Sequence, residues 1–124
     1  MEAIGNSGAP GPALDVARMR ERLGDDDELI ADVIRLYLDD YPTRVRAIGA
    51  AIQTRDAGRL RVEAHALKGS AGALSALRVA EAARDLEMIG QAGDLGSAEQ
   101  RFAVLVGETE QLAAFLRQLQ TDKS

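Results

Sequence analysis

Cysteine and tryptophan are absent from this sequence, and aromatic residues make up only 3% of it. Without cysteine there can be no disulfide, thiolate metal site or thiol nucleophile, which fits a reducing compartment. Aromatic and β-branched side chains favour sheet, whereas the alanine and leucine that dominate here favour helix. Long apolar runs are missing too. None approaches the roughly 20 residues that span a bilayer, and the N-terminus has no signal-peptide pattern. A cytoplasmic chain without membrane contact is expected. Positive charge is in deficit, with 15 Lys and Arg against 20 Asp and Glu. That balance argues against a general nucleic-acid binder, which needs a basic face, although scattered arginines leave room for a local basic patch. Histidine occurs once, with no clustered partners at metal-ligand spacing, so no metal site is expected. A Gly-rich phosphate loop is also lacking, and with it a nucleotide site of that type.

What is present reads as helix. The 124 residues suffice for one domain with one core. Residues 1–12 read as a disordered lead or linker, because Gly5, Gly8, Pro10, Gly11 and Pro12 crowd a stretch with little to bury. Leu14, Ala17, Met19 and Leu23 suggest a short first helix stopped at Gly24. Asp25-Asp26-Asp27-Glu28 opens a longer second helix, where acids cap free N–H groups and complement the dipole. A calcium loop would need a different alternation of acids. Leu29, Ile30, Val33, Ile34, Tyr37 and Leu38 begin an apolar stripe that Val45, Ile48 and Ile52 continue, and Pro42 within it predicts a kink or local irregularity. A third helix is expected from about Asp56 to Leu74 and a fourth from about Leu77 to Ile89. Gly90, Gly93 and Gly96 then break the chain before a fifth helix from about Ser97 to Leu119. No strand alternation or hairpin signal intervenes. The expectation is an all-α, antiparallel four-helix bundle over residues 13–120 with a short additional N-terminal helix, and a C-terminal tail at 121–124.

One stretch carries chemistry: Glu63-Ala64-His65-Ala66-Leu67-Lys68-Gly69-Ser70-Ala71-Gly72-Ala73-Leu74. On a helical wheel Leu60, Ala64, Leu67, Ala71 and Leu74 share one face, and His65 lies roughly 140° from its centre. The lone histidine therefore points to solvent instead of being a satisfied core residue. Arg61 lies one turn before it, Lys68 and Gly69 one turn after, and Gly72 two turns after. Each mid-helix glycine costs about 1 kcal/mol relative to alanine. Glycine beside an exposed side chain removes bulk and lets another protein's backbone approach; the alternative, close packing of a neighbouring helix, suits the face opposite the apolar stripe less well. A neutral imidazole is a good nucleophile towards phosphorus near neutral pH. Phosphoryl transfer needs in-line approach and positive charge near the non-bridging oxygens, and Lys68 could supply that charge.

With those residues in view, Ala64-His65-Ala66-Leu67-Lys68-Gly69-Ser70-Ala71 resembles the His-x-Leu-Lys-Gly-Ser signature of the histidine phosphotransfer (HPt) domain family. Leu86-Glu87 is similar to the Leu-Glu pair ending the family's next helix, and Leu36-Tyr37-Leu38-Asp39-Asp40-Tyr41-Pro42 to the acidic-then-proline stretch of its second. Many members carry a glycine ten residues after the histidine, where this chain has Ser75. That departure bears on the turn after the histidine helix more than on transfer chemistry.

The resemblance implies a phosphocarrier in a two-component phosphorelay. His65 would accept a phosphoryl group from a receiver-domain aspartate and pass it to another receiver, with Lys68 as charge partner and Gly69 as the gap admitting the receiver. Arg61, Val62, Gly72, Ala76 and Arg78 would form the partner surface. The implied partners are response-regulator receivers or a hybrid sensor histidine kinase. The chain would have no cofactor of its own and no kinase activity, and any Mg²⁺ would sit in the receiver's acidic pocket. Three rivals differ in kind. A helical adaptor would bind a receiver or sensor kinase without carrying phosphate, which His65 and Lys68 together argue against. A hydrolase would need a concave site with an orienting acid or a nucleophile. A dimerising kinase module would be a two-helix hairpin, whereas this chain is expected to form a whole bundle as a monomer.

Overall fold

The computed structural model describes residues 13–122, and the expected N-terminal lead at 1–12 lies outside them, as do residues 123–124. Among the described residues there are five α-helices and no strands: α1 (Val16–Arg22), α2 (Asp27–Gln53), α3 (Ala57–Ala73), α4 (Leu77–Ala92) and α5 (Ala98–Asp122). Thr121 and Asp122, expected in the C-terminal tail, still belong to α5.

Three helices start in the same way. The carboxylates of Asp15, Asp26 and Asp56 accept hydrogen bonds from the backbone N–H of Arg18, Leu29 and Arg59, at 3.0, 3.1 and 3.0 Å. Each occupies one of the N–H groups that a helix start leaves without a partner. The acidic run is thus a helix start, with Asp26 the cap and Asp27 and Glu28 in the first turn of α2. Pro42 does not break the helix, which continues to Gln53.

Cross-helix pairs give the topology. Arg44 of α2 meets Glu63 of α3. His65 and Lys68 of α3 meet Glu87 of α4, while the Ala57–Arg61 end of α3 approaches Gly90. Arg78 and Asp85 of α4 meet Glu108 and Arg101 of α5. Between α3 and α4, and between α4 and α5, one number rises as the other falls, so these neighbours are antiparallel. α5 also packs on α2, which closes the ring of four. The core holds Ile30, Ile34, Ile48, Leu60, Leu67, Leu86, Leu105, Leu112 and Leu116, together with Leu14 and Met19 around α1.

Two glycines of the α4–α5 region act differently from each other. Gly93 ends α4 in a left-handed conformation, φ +81°, where glycine has no Cβ penalty. Gly90, read from sequence as a breaker, is buried inside α4. A Cβ there would lie 2.8 Å from the Ala57 carbonyl oxygen and 2.8 Å from the Arg61 nitrogen. This glycine lets the backbones of α3 and α4 meet. It thereby sets the α3–α4 distance at which a side chain of one helix can reach the other.

Candidate functional site: a histidine held by a neighbouring helix

The buried stripe of α3 is Leu60, Ala64, Leu67 and Ala71, the face expected from the wheel. His65 stands outside it with 66% of its side chain exposed. Its Nδ1 lies 2.7 Å from Oε2 of Glu87 on α4. The other carboxylate oxygen, Oε1, lies 2.7 Å from Lys68 Nζ. One half-buried carboxylate therefore spans two neighbours one turn apart on α3. Lys68 above all, with His65 contributing less and partial burial opposing, holds the Glu87 carboxyl below the usual carboxylate range.

An ionised carboxylate has no hydrogen to give. With Glu87 ionised, the proton between it and the ring must sit on Nδ1. The neutral ring then carries its lone pair on Nε2, so the carboxylate selects the tautomer as well as the ring's orientation.

The glycines beside the histidine face open space. A Cβ at Gly69 or Gly72 would meet nothing within 4 Å, so neither is needed for helix packing; between α3 and α4 the close approach is made at Gly90. Val62, one turn before His65 on the outer side, is 52% exposed. Arg61 is exposed as well. Glu63, which points towards α2, is engaged by Arg44 at 3.0 Å and Arg59 at 3.2 Å. That cluster pins α3 to α2 and leaves the His65 face clear.

Two residues expected on the partner surface are not there. Ala76 is fully buried. The wheel of α3 stops at Ala73, and Ser75 turns the chain through a left-handed φ of +60°, so Ala76 no longer follows the histidine's face. Arg78 is held to α5, with Nε 2.9 Å from Oε1 of Glu108 and Nη2 3.0 Å from Oε1 of Gln111. It clasps α4 to α5 and does not rim the histidine. The residue that sequence reasoning left without a role is Glu87. Its signal was the Leu86-Glu87 pair, in which Leu86 is buried and Glu87 sits next to it at the α3 seam.

Among the described residues no group of three or more His, Cys, Asp or Glu is placed to hold a metal ion. Nor is any helix long and apolar enough to cross a membrane.

Comparison with known proteins agrees with the all-helical fold. The family model described as "Hpt domain" matches residues 32–122. Among solved structures, the chain is similar to the crystal structure of histidine-containing phosphotransfer protein B from Pseudomonas aeruginosa PAO1. The two are 26% identical over 91% of this chain and 98% of that one, with a TM-score of 0.79. No curated protein sequence gives a significant match.

Proposed function

The chain belongs to the Hpt domain family, and is thus a phosphocarrier of phosphorelays; from that premise we propose that His65 is the residue that carries the phosphoryl group. The observation that supports this best is the exposed His65 ring with Nδ1 2.7 Å from the Glu87 carboxylate. That arrangement leaves Nε2 as the free nucleophile.

In the forward step Nε2 attacks the phosphorus of an aspartyl phosphate on a receiver domain. The N–P bond forms as the P–O bond to the aspartate breaks, and the aspartate leaves as a carboxylate. The ring keeps its Nδ1 proton throughout and becomes a phosphoimidazolium, so no base has to remove a proton. Its new positive charge faces Glu87, which stabilises it. Lys68, one turn along, offers its ammonium to the non-bridging oxygens. Gly69 removes the bulk that would keep the receiver's active-site loops away. The same contacts serve the reverse step, in which a second receiver's aspartate takes the group.

Family membership brings receiver or kinase partners. We assign the receiver's own acidic pocket as the place of Mg²⁺ and take the chain to act as a monomer, without ATP chemistry of its own. Phosphoramidate, a small phosphodonor, tests the acceptor without a partner. The expected ³¹P NMR signal is that of an Nε2-phosphohistidine, absent in His65→Gln. Label elsewhere, or equal label on the variant, overturns the assignment.

A further inference from the structure

Lys68 shares the Glu87 carboxylate with His65, so its charge is already matched. Attraction of an acidic partner surface must then come from charges that the protein leaves unmatched. Around the site most arginines are engaged: Arg44 and Arg59 with Glu63, Arg78 with Glu108, Arg101 with Asp85 at a longer 3.9 Å. Arg61 and Arg84 are the exceptions there, since neither side chain has a hydrogen bond or ion pair among the described residues, and both are exposed.

Their positions are not arbitrary. Arg61 is one turn before His65 on α3, and its helix neighbours Ala57, Gly58, Ala64 and His65 include no acid. Arg84 is one turn before Glu87 on α4. Of the acids within a turn of it, Glu87 is taken by His65 and Lys68, Asp85 faces Arg101, and Glu81 does not pair with it. Because α3 and α4 are antiparallel and Glu87 lies across from His65 and Lys68, Arg84 falls across from the following turn of α3, which holds Gly69 and Gly72. Arg84 and Lys68 also line one open groove, with the 55% exposed Leu77 beside them. Arg61 thus lies a turn before the histidine on α3, and Arg84 lies on α4 level with the turn after it, where the glycine gap is.

We propose that Arg61 and Arg84 form a two-point cationic clamp that seats the acidic surface of a receiver domain over His65, with Arg84 the residue that extends the docking surface onto α4. The proposal rests on His65 as acceptor and on a receiver as partner. The chain carries a net charge of −5, so its long-range field repels an acidic partner. Two unmatched guanidiniums at the site reverse that locally and fix the register of docking. Arg84 acts through the partner's placement and touches no reacting atom, so its effect belongs on docking and not on the chemical step.

The test uses purified receiver domains, taking one that exchanges phosphoryl groups with the wild-type chain, and compares wild type with Arg84→Gln, Arg61→Gln, the double variant and Arg117→Gln. Arg117 is an exposed arginine of α5 and controls for loss of one positive charge. Arg84→Gln is expected to raise the half-saturating receiver concentration roughly fivefold, the scale of one rim charge pair, and to flatten its salt dependence. The double variant raises it further. The rate at saturating receiver and the labelling by phosphoramidate stay at wild-type values. An Arg84→Gln response indistinguishable from that of Arg117→Gln, or one confined to the saturated rate, overturns the clamp. Failure of the underlying reading has a different signature: equal phosphoramidate labelling of wild type and His65→Gln, or exchange with no receiver at all.

Discussion

His65 Nδ1 and Glu87 Oε2 are 2.7 Å apart, joining α3 to α4 at the one histidine of the protein. The pairing gives Glu87 two separable tasks, choosing the tautomer and offsetting the charge of the phosphorylated ring. A glutamine can still accept the Nδ1–H through its carbonyl oxygen but carries no charge, and an alanine does neither. Phosphoramidate labelling in single-turnover format should therefore slow by about tenfold in Glu87→Gln, the effect of roughly 1.4 kcal/mol, and further in Glu87→Ala. Equal rates in all three proteins would remove Glu87 from the chemistry.

The same cluster predicts how stability responds to acid. Lys68 and His65 depress the Glu87 pKa below its ordinary 4.5 in the folded state. A carboxyl depressed on folding stabilises the protein above its unfolded pKa, and that contribution is lost as pH falls through the lower, folded value. Wild type should thus be more stable than Glu87→Gln at pH 7, and the gap should close below about pH 4. Urea titrations of both proteins across that range measure it. A gap that widens on acidification would contradict the sign.

Gly69 and Gly90 make opposite predictions although both sit within helices. The space beside Gly69 is empty, whereas a Cβ on Gly90 would strike backbone atoms of α3. Gly69→Ala should raise stability by about 1 kcal/mol, the helix-propensity difference, and Gly69→Leu should retain phosphoramidate labelling while transfer from a receiver falls. Gly90→Ala should lower stability by about 1–3 kcal/mol through overpacking. Thermal melts of the three variants and receiver transfer by Gly69→Leu decide the matter. Destabilisation by Gly69→Ala would mean that this glycine serves the fold instead of access.

Ser75 occupies a conformation in which glycine has the advantage. Its φ is +60°, it is 97% buried (3% exposed), and its hydroxyl oxygen has no hydrogen-bond partner in the described structure. A left-handed non-glycine residue costs roughly 1–2 kcal/mol, and a buried hydroxyl without a partner adds to that. Ser75→Gly should raise the denaturant midpoint by about 1 kcal/mol equivalent and leave phosphoryl transfer unchanged. A lower midpoint would show that the serine hydroxyl is satisfied in the folded protein.

These outcomes separate what the sequence states from what only packing states. The apolar period placed His65 outside the core, and the acidic run Asp25-Asp26-Asp27-Glu28 announced the start of α2, because both signals are local to one helix. The wheel failed for Ala76 because it was continued past Ala73 and through the left-handed Ser75, where 100° per residue no longer applies. Gly90 was misread for a related reason. A glycine that ends a helix and one that admits a neighbour's backbone look alike until the neighbour is in place. The roles of Glu87, Arg78 and Arg84 depend on the register between antiparallel helices, which no single-helix pattern encodes.

The most direct test of His65 as carrier is transfer of label from a phosphorylated receiver domain to the wild-type chain and to His65→Gln. Label on wild type alone, lost in acid and stable in base, is the predicted result. Label on both proteins, or none on wild type from a panel of receivers that bind it, would contradict the account and favour an adaptor that docks without carrying phosphate.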